Sequence, residues 1–216
     1  MKVIFKFSVF SILMISASTA LGYFLWYKPK FERGDAGTAF GDKIKKGNIF
    51  TKIQSKANIL KEYAKMHGYN TSVCFMVDMH ISSGKPRFFV YNLIKDSIER
   101  AGLVAHGSGS DKGNNDLYFS NEPNSNCTSL GNYKIGKSYY GKFGLAYKLH
   151  GLDQSNSKAF ERFVVLHAHE CVPNEEVSPL EICESWGCPT VAPAFLVVLK
   201  KYIDKSDKAI LMNIYY

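Results

Sequence analysis

The stretch CESWGCP, residues 183 to 189, sets two cysteines, a tryptophan and a Gly-Cys-Pro turn close together near the end of a 216-residue chain. A cysteine does chemistry as its thiolate, and its pKa falls near a helix N-terminus or beside a histidine. The run VAPAFLVVLKKYI at 191–203 carries Phe195, Val198, Leu199 and Tyr202 at helical spacing, so Cys188 is expected just ahead of a helix. Gly187 would leave room for a substrate backbone, and Pro189 fits the opening of a helix. Upstream, His167 ends the apolar run FVVL, a strand able to present a general base to a nearby loop. Cysteine plus histidine suggests acyl transfer. A rival reading comes from HAHEC, where His167, His169 and Cys171 alternate and so share one strand face, with Cys183 and Cys188 downstream. Four of these residues could close a zinc site. The plain reading is structural, since most cysteines are small buried apolar residues and most lone histidines are not catalytic. The residue types alone leave all three open.

The elements that must position these side chains are mostly β. Ile53, Ala57, Leu60 and Ala64 recur at helical spacing between Thr51 and His67, which predicts an amphipathic helix ending at Gly68, its apolar stripe a core face. TSVCFMVDM (71–79) and RFFVYNL (87–93) read as a β-hairpin through HISSGKP. RAGLVAHG (100–107) predicts a third strand delivering His106 to the glycine-rich loop GSGSDKGNN. SLGNYKIGK, GLAYKLHGL and RFVVLHAH follow as β-favouring segments separated by Gly, Asn or Ser, and AILMNIYY closes the chain as a strand. There is no internal repeat and no low-complexity tract.

The N-terminus bears on where this domain works. Lys2 and Lys6 precede 21 residues without a charge, Phe7 to Tyr27, enough to span roughly 30 Å as a helix. Small residues at 17–20 would suit a cleaved signal peptide, while GYFLWY extends the run past them and sets aromatics where a membrane interface would hold them. An uncleaved anchor in the cytoplasmic membrane through residues 7–27, a cleaved signal peptide that would release a secreted domain, and a buried helix are the three readings. Residues 28–50 read as a linker and 51–216 as the domain. A net charge of +8 favours anionic surroundings such as nucleic acid, membrane or cell-wall polymer without choosing among them. Five cysteines are an odd set, which outside the cytoplasm leaves at least one thiol to be explained.

LVAHGSGS, FSNEPNSNCTSLGNYKIGKSYYGKFGLAYKLHGLD, AFERFVVLH and SWGCP, in that order, resemble the murein L,D-transpeptidase catalytic domain, a branch of the YkuD-like cysteine transpeptidases. The resemblance covers about Val73 to Tyr216. It implies a mainly β fold, an L,D-transpeptidase-like β-sandwich with flanking helices, in a bacterial envelope enzyme working outside the cytoplasm, in the periplasm. It implies a cysteine acyl-enzyme with peptidoglycan stem peptides, no metal or organic cofactor, and no nucleic-acid partner. Cys188 is then the expected nucleophile and His167 the base, with Ser185 and Gly187 shaping the turn. His106 and Gly107 match the family's A-H-G element, as orienting group or substrate wall. Two positions depart from the pattern: Ala168 stands where the family usually has glycine, and Glu184 where it usually has arginine. An inward Glu184 would raise the cysteine pKa, and an outward one would be a solvated surface charge. Cys171 and Cys183 flank the loop VPNEEVSPLEI and could form a disulfide over the site, Cys127 is expected as a buried spacer, and Cys74 belongs to the first strand and the core. A non-catalytic, membrane-tethered peptidoglycan-binding protein on the same fold is the alternative.

Overall fold

The computed structural model describes residues 48–113 and 116–216. The anchor or signal segment and most of the linker lie outside them, and among the described residues no helix is long and apolar enough to cross a membrane.

Helix α1 (Asn48–His67) starts three residues ahead of the expected Thr51. Its stripe is the one read from spacing: Ile53, Ala57, Leu60 and Ala64 are all buried, against Cys74, Met76, Phe89, Tyr91 and Leu211. After Gly68 the chain turns back, with Tyr69 N–H donating to the Ala64 carbonyl at 2.9 Å, a Schellman closure.

Nine strands follow: β1 (Val73–Asp78), β2 (Phe88–Asn92), β3 (Ser97–Gly102), β4 (Val104–Ala105), β5 (Gly131–Gly141), β6 (Gly144–Gly151), β7 (Val165–Ala168), β8 (Thr190–Val191) and β9 (Leu211–Tyr215). Helix α2 (Pro193–Asp204) lies between the last two. They form one sheet in the order β3-β2-β1-β9-β5-β6-β7-β8-β4. The C-terminal strand is therefore central, parallel to β1 and antiparallel to β5.

The mainly β expectation holds, and one strand of it is corrected. The mainly β fold takes the form of one sheet whose first and last strands, β3 and β4, are separated in the chain by Leu103 alone, so the sheet curls nearly closed. The segment 100–107 is accordingly not one strand. It breaks at Leu103, one part pairing with β2 and the other with β8. Arg87 spans the seam, its N–H bonding the Gly102 carbonyl at 3.1 Å and its Nε the Val104 carbonyl at 3.0 Å. Inside the curl, Phe75, Val77, Phe88, Tyr133, Tyr147, Leu149, Leu166 and Met212 pack with Leu196 and Leu199 of α2.

On the opposite face α1 covers β1, β2 and β9. Leu60 sits in the middle of that contact and Ile59 beside it is 69% exposed. Replacing Leu60 with Ala should cost about 2–5 kcal/mol in urea unfolding, whereas Ile59→Ala should change stability by no more than about 0.5 kcal/mol. Equal effects would contradict this packing of α1.

Candidate active site

Strand β8 sets the position of the cysteine turn. It runs parallel to β7 with His167 opposite Thr190 and Ala168 opposite Val191. Counting back two residues on both strands sets Cys188 level with Val165, and the Val165 N–H reaches Cys188 Sγ at 3.5 Å. Side chains two apart share a face, so Val165 and His167 project to one side of the sheet. Along the strand His167 is about 7 Å beyond the level of Val165.

The helix expected at Cys188 begins later. Its N-cap is Ala192 and its first-turn proline is Pro193, so β8 separates the cysteine from the helix, and Pro189 opens a strand instead. Helix charge therefore does not lower this thiol. Gly187 is also explained differently: its φ of +104° is a left-handed conformation, and a Cβ there would stand 2.7 Å from the Cys127 carbonyl oxygen. The missing side chain makes room for the protein's own backbone rather than for a substrate.

Ser185 ties the turn together. Its hydroxyl lies 2.6 Å from the Cys188 carbonyl and 3.2 Å from the His106 carbonyl, and accepts the Gly187 N–H at 3.1 Å. The His106–Gly107 segment forms the other wall: Ser185 N–H donates to the His106 carbonyl, Ser108 N–H to the Ser185 carbonyl, and Gly107 bridges Ser185 in parallel. His106 is thus brought to the turn by its backbone.

Its ring has a separate environment. Arg87 donates to Nδ1 at 2.9 Å, which puts the proton of the neutral imidazole on Nε2. Burial and the Arg87 charge hold this histidine down to about 4. Nε2 has no hydrogen-bond partner and faces Glu184 Oε1 at 3.6 Å. Glu184 is therefore turned toward His106, half-exposed, with its own pKa raised by burial and by Asp111 and Glu181. A cavity of about 370 Å³ beside it is lined by Arg87, His106, Asp111 and Glu181 but by neither Cys188 nor His167.

At the other end, His167 is buried. Its Nδ1 donates to the Ala168 carbonyl at 3.0 Å, so the lone pair is on Nε2, which meets the Thr190 hydroxyl at 2.9 Å. Phe143, from the β5–β6 turn, stacks on the ring at 4.9 Å. Burial holds His167 below the usual histidine value. Cys188 Sγ points to the Phe163 carbonyl at 3.8 Å, and burial raises the thiol pKa against the lowering effects of the Val165 N–H and Arg162. The resting pair is a neutral thiol and a neutral imidazole on one sheet face, each hydrogen-bonded elsewhere.

Arg162 was not singled out from sequence. It donates to the carbonyls of Ser120 (2.9 Å) and Cys127 (2.7 Å) and to the hydroxyls of Ser125 and Ser129, holding the 120–129 loop behind the cysteine turn. A lone arginine in AFERFVVLH has no pattern of its own. Its quoted neighbourhood was the available signal, as it was for Thr190 beside the Cys-Pro pair.

Cys171 and Cys183 are joined in a disulfide with Cα atoms 6.0 Å apart, across the β7–β8 crossover. That removes both from any zinc site, and His169 lies beyond the end of β7, stacked edge-on to Phe143 and accepting the Cys171 N–H. Cys74 and Cys127 are buried free thiols.

Among known proteins, the sequence profile described as the L,D-transpeptidase catalytic domain matches residues 45–214. A search of curated proteins finds no match. Solved structures similar to the chain include an L,D-transpeptidase from Mycobacterium smegmatis (11% identity, TM-score 0.40, 67% of this chain and 59% of that one). Others are Bd1075 of Bdellovibrio bacteriovorus (15%, 0.42, 69% and 49%) and the helical cell shape determining protein Pgp2 of Campylobacter jejuni (12%, 0.38, 66% and 47%). The chain spans about half to three fifths of their lengths.

With thiol and imidazole both neutral at rest, alkylation of Cys188 by iodoacetamide in the full chain should climb with pH past the ordinary thiol value of about 8.5 without a plateau at neutral pH. Arg162→Gln should lower the rate at pH 8 by roughly three- to tenfold. A rate already flat between pH 6 and 7, read by peptide mass, would mean a preformed thiolate–imidazolium pair instead.

Proposed function

The chain belongs to the L,D-transpeptidase catalytic domain family, and from that premise we propose that it is a cysteine acyltransferase of the bacterial envelope acting on peptidoglycan stem tetrapeptides. Cys188 attacks the diamino acid's carbonyl in the amide that joins it to the terminal D-alanine, and the D-alanine leaves with the proton that completes its amine. His167 accepts the thiol proton and returns it, then takes a proton from the acceptor amine as the thioester is resolved. An amine on a second stem yields a crosslink, and water yields carboxypeptidation. The backbone N–H of Cys188 is the expected donor to the tetrahedral oxyanion. Reaction begins with His167 exchanging its Thr190 contact for the thiol, since the lone pair at Nε2 is held by that hydroxyl at rest. In this reading segment 7–27 tethers the domain to the cytoplasmic membrane on its outer side.

The observation that carries the proposal is the parallel β7–β8 register, which supports Cys188 and His167 acting on one face. The hydrogen bonds that occupy both His167 nitrogens favour a second reading, a peptidoglycan-binding protein with an inert thiol.

Intact mass after incubation with a tetrapeptide or a carbapenem decides between them. The wild type should gain one acyl group and Cys188→Ala none, and adding an amine should divert product from hydrolysis. Full labelling of Cys188→Ala, or an unmodified wild type that still binds peptidoglycan, would overturn the proposal.

A further inference from the structure

The face of the sheet that carries His167 is divided. Helix α1 lies over β1, β2 and β9, and no helix among the described residues covers β5, β6 and β7. The register shows what this open part presents. Lys134 stands opposite His150, Lys148 opposite Val165, and Ala146 opposite both Tyr139 and His167. Directly paired residues, and residues two apart on a strand, share a face. Lys134, His150, Lys148, Val165 and His167 therefore share one sheet face, exposed at Lys148 and buried at Val165 and His167, with Cys188 beside Val165. A groove of about 860 Å³ opens on it, lined by Lys134, Lys137, Lys148, His150, Tyr139 and Phe160.

The charge of this groove is unbalanced. Lys134, Lys137 and Lys148 make no ion pair within 4 Å among the described residues, and Asp207 is the one carboxylate in the lining. Lys148 is nonetheless fixed in place: its Nζ lies 5.0 Å from the Phe160 ring and 5.9 Å from that of Tyr139. Phe160 also stacks on His150 at 4.9 Å. Burial pushes that histidine below its usual pKa, and Lys134 and Lys148 push it the same way. Three cations with Asp207 as the one carboxylate in the lining, Lys148 among them set between two rings, form a surface that an anion would complete.

We infer that this groove binds the carboxylates of a wall peptide whose reacting amide lies at Cys188. The identity of the ligand rests on the acyl-transfer reading above: a stem peptide ending in a free carboxylate is anionic, and Lys148 of the groove stands opposite Val165, whose N–H meets Cys188 Sγ. Lys148 is the specificity-determining cation, because it is the one opposite Val165. The groove recognises charge spread along an extended chain, which suits a peptide with several carboxylates.

The test uses the full chain at low ionic strength, where such contacts are least screened. Calorimetric titration compares a soluble tetrapeptide muropeptide, the same peptide with its carboxylates amidated, and a short polyphosphate. The expected result is that wild type prefers the carboxylated peptide, and that Lys148→Gln combined with Lys134→Gln weakens it by roughly tenfold. Amidation should weaken wild-type binding to a similar level, and the variant's KM for acylation should rise while kcat holds. Melting temperatures of the variants check that the substitutions at exposed Lys148 and half-buried Lys134 leave the fold intact. Equal binding of the amidated peptide, undiminished binding by the variant, or binding of polyphosphate alone would each overturn the assignment, the last in favour of a phosphate polymer. The two proposals fail separately. Lysine-dependent peptide binding without an acyl adduct removes the acyltransferase and keeps the groove, whereas acylation with unchanged kcat/KM in the variant removes the groove and keeps the enzyme.

Discussion

The parallel pairing of β7 with β8 is the contact on which the site depends. It involves only a few residues, yet His167 opposite Thr190 brings the cysteine turn to the start of β7. Two adjacent parallel strands cannot be joined by a tight turn, so the chain must make a long excursion between Ala168 and Thr190. The disulfide from Cys171 to Cys183 shortens that excursion at its base. Beyond it, Val172 and Ile182 pack with Leu103, Ala105 and Ala192, linking the crossover to the seam of the sheet. Without this anchoring, so short a parallel pair would have little to hold its register.

The seam explains why His106 belongs with the site despite its distance in sequence. Because the sheet curls round, β4 becomes the far neighbour of β8, and the residues after β4 run alongside the cysteine turn. Arg87 joins the two ends of the curl and holds the His106 ring in the same stroke, since Nε reaches Val104 and Nη2 reaches Nδ1. Burying an arginine is costly unless its donors are met, and here carbonyls and a ring nitrogen meet them. Its pKa is drawn down only to about 10, so it stays a cation.

What the sequence made legible follows the reach of local patterns. The stripe on α1 repeats over several turns and was readable in full, as was the hairpin of β1 and β2. Strand β8 is two residues long and shows no periodicity, so the helical run behind it reads as starting at Val191, just after the cysteine turn. The break at Leu103 was hidden for the opposite reason: β3 and β4 form a nearly continuous β-favouring stretch, and only long-range pairing separates them. Alternation in HAHEC likewise implied a strand through Cys171, where the structure ends β7 at Ala168 and commits Cys171 to Cys183. The residues of the site came from the family resemblance. Their surroundings, Arg162, Thr190 and Phe143, required the fold.

Glu184 shows how the charge at one position depends on the geometry around it. An acid beside the nucleophile would disfavour the thiolate if its field fell on sulfur. Its carboxylate instead faces the protonated nitrogen of His106, and the groups that act on Cys188 are the Val165 N–H and Arg162. The cation that acts on the Cys188 thiol is Arg162, from the segment entering β7 rather than from within the cysteine turn. The two charges are segregated: acids gather around Glu184 at one side of the turn, and lysines line the open sheet face that runs to Val165 on the other. The acid at 184 thus acts on His106, and the Cys188 sulfur answers to other groups.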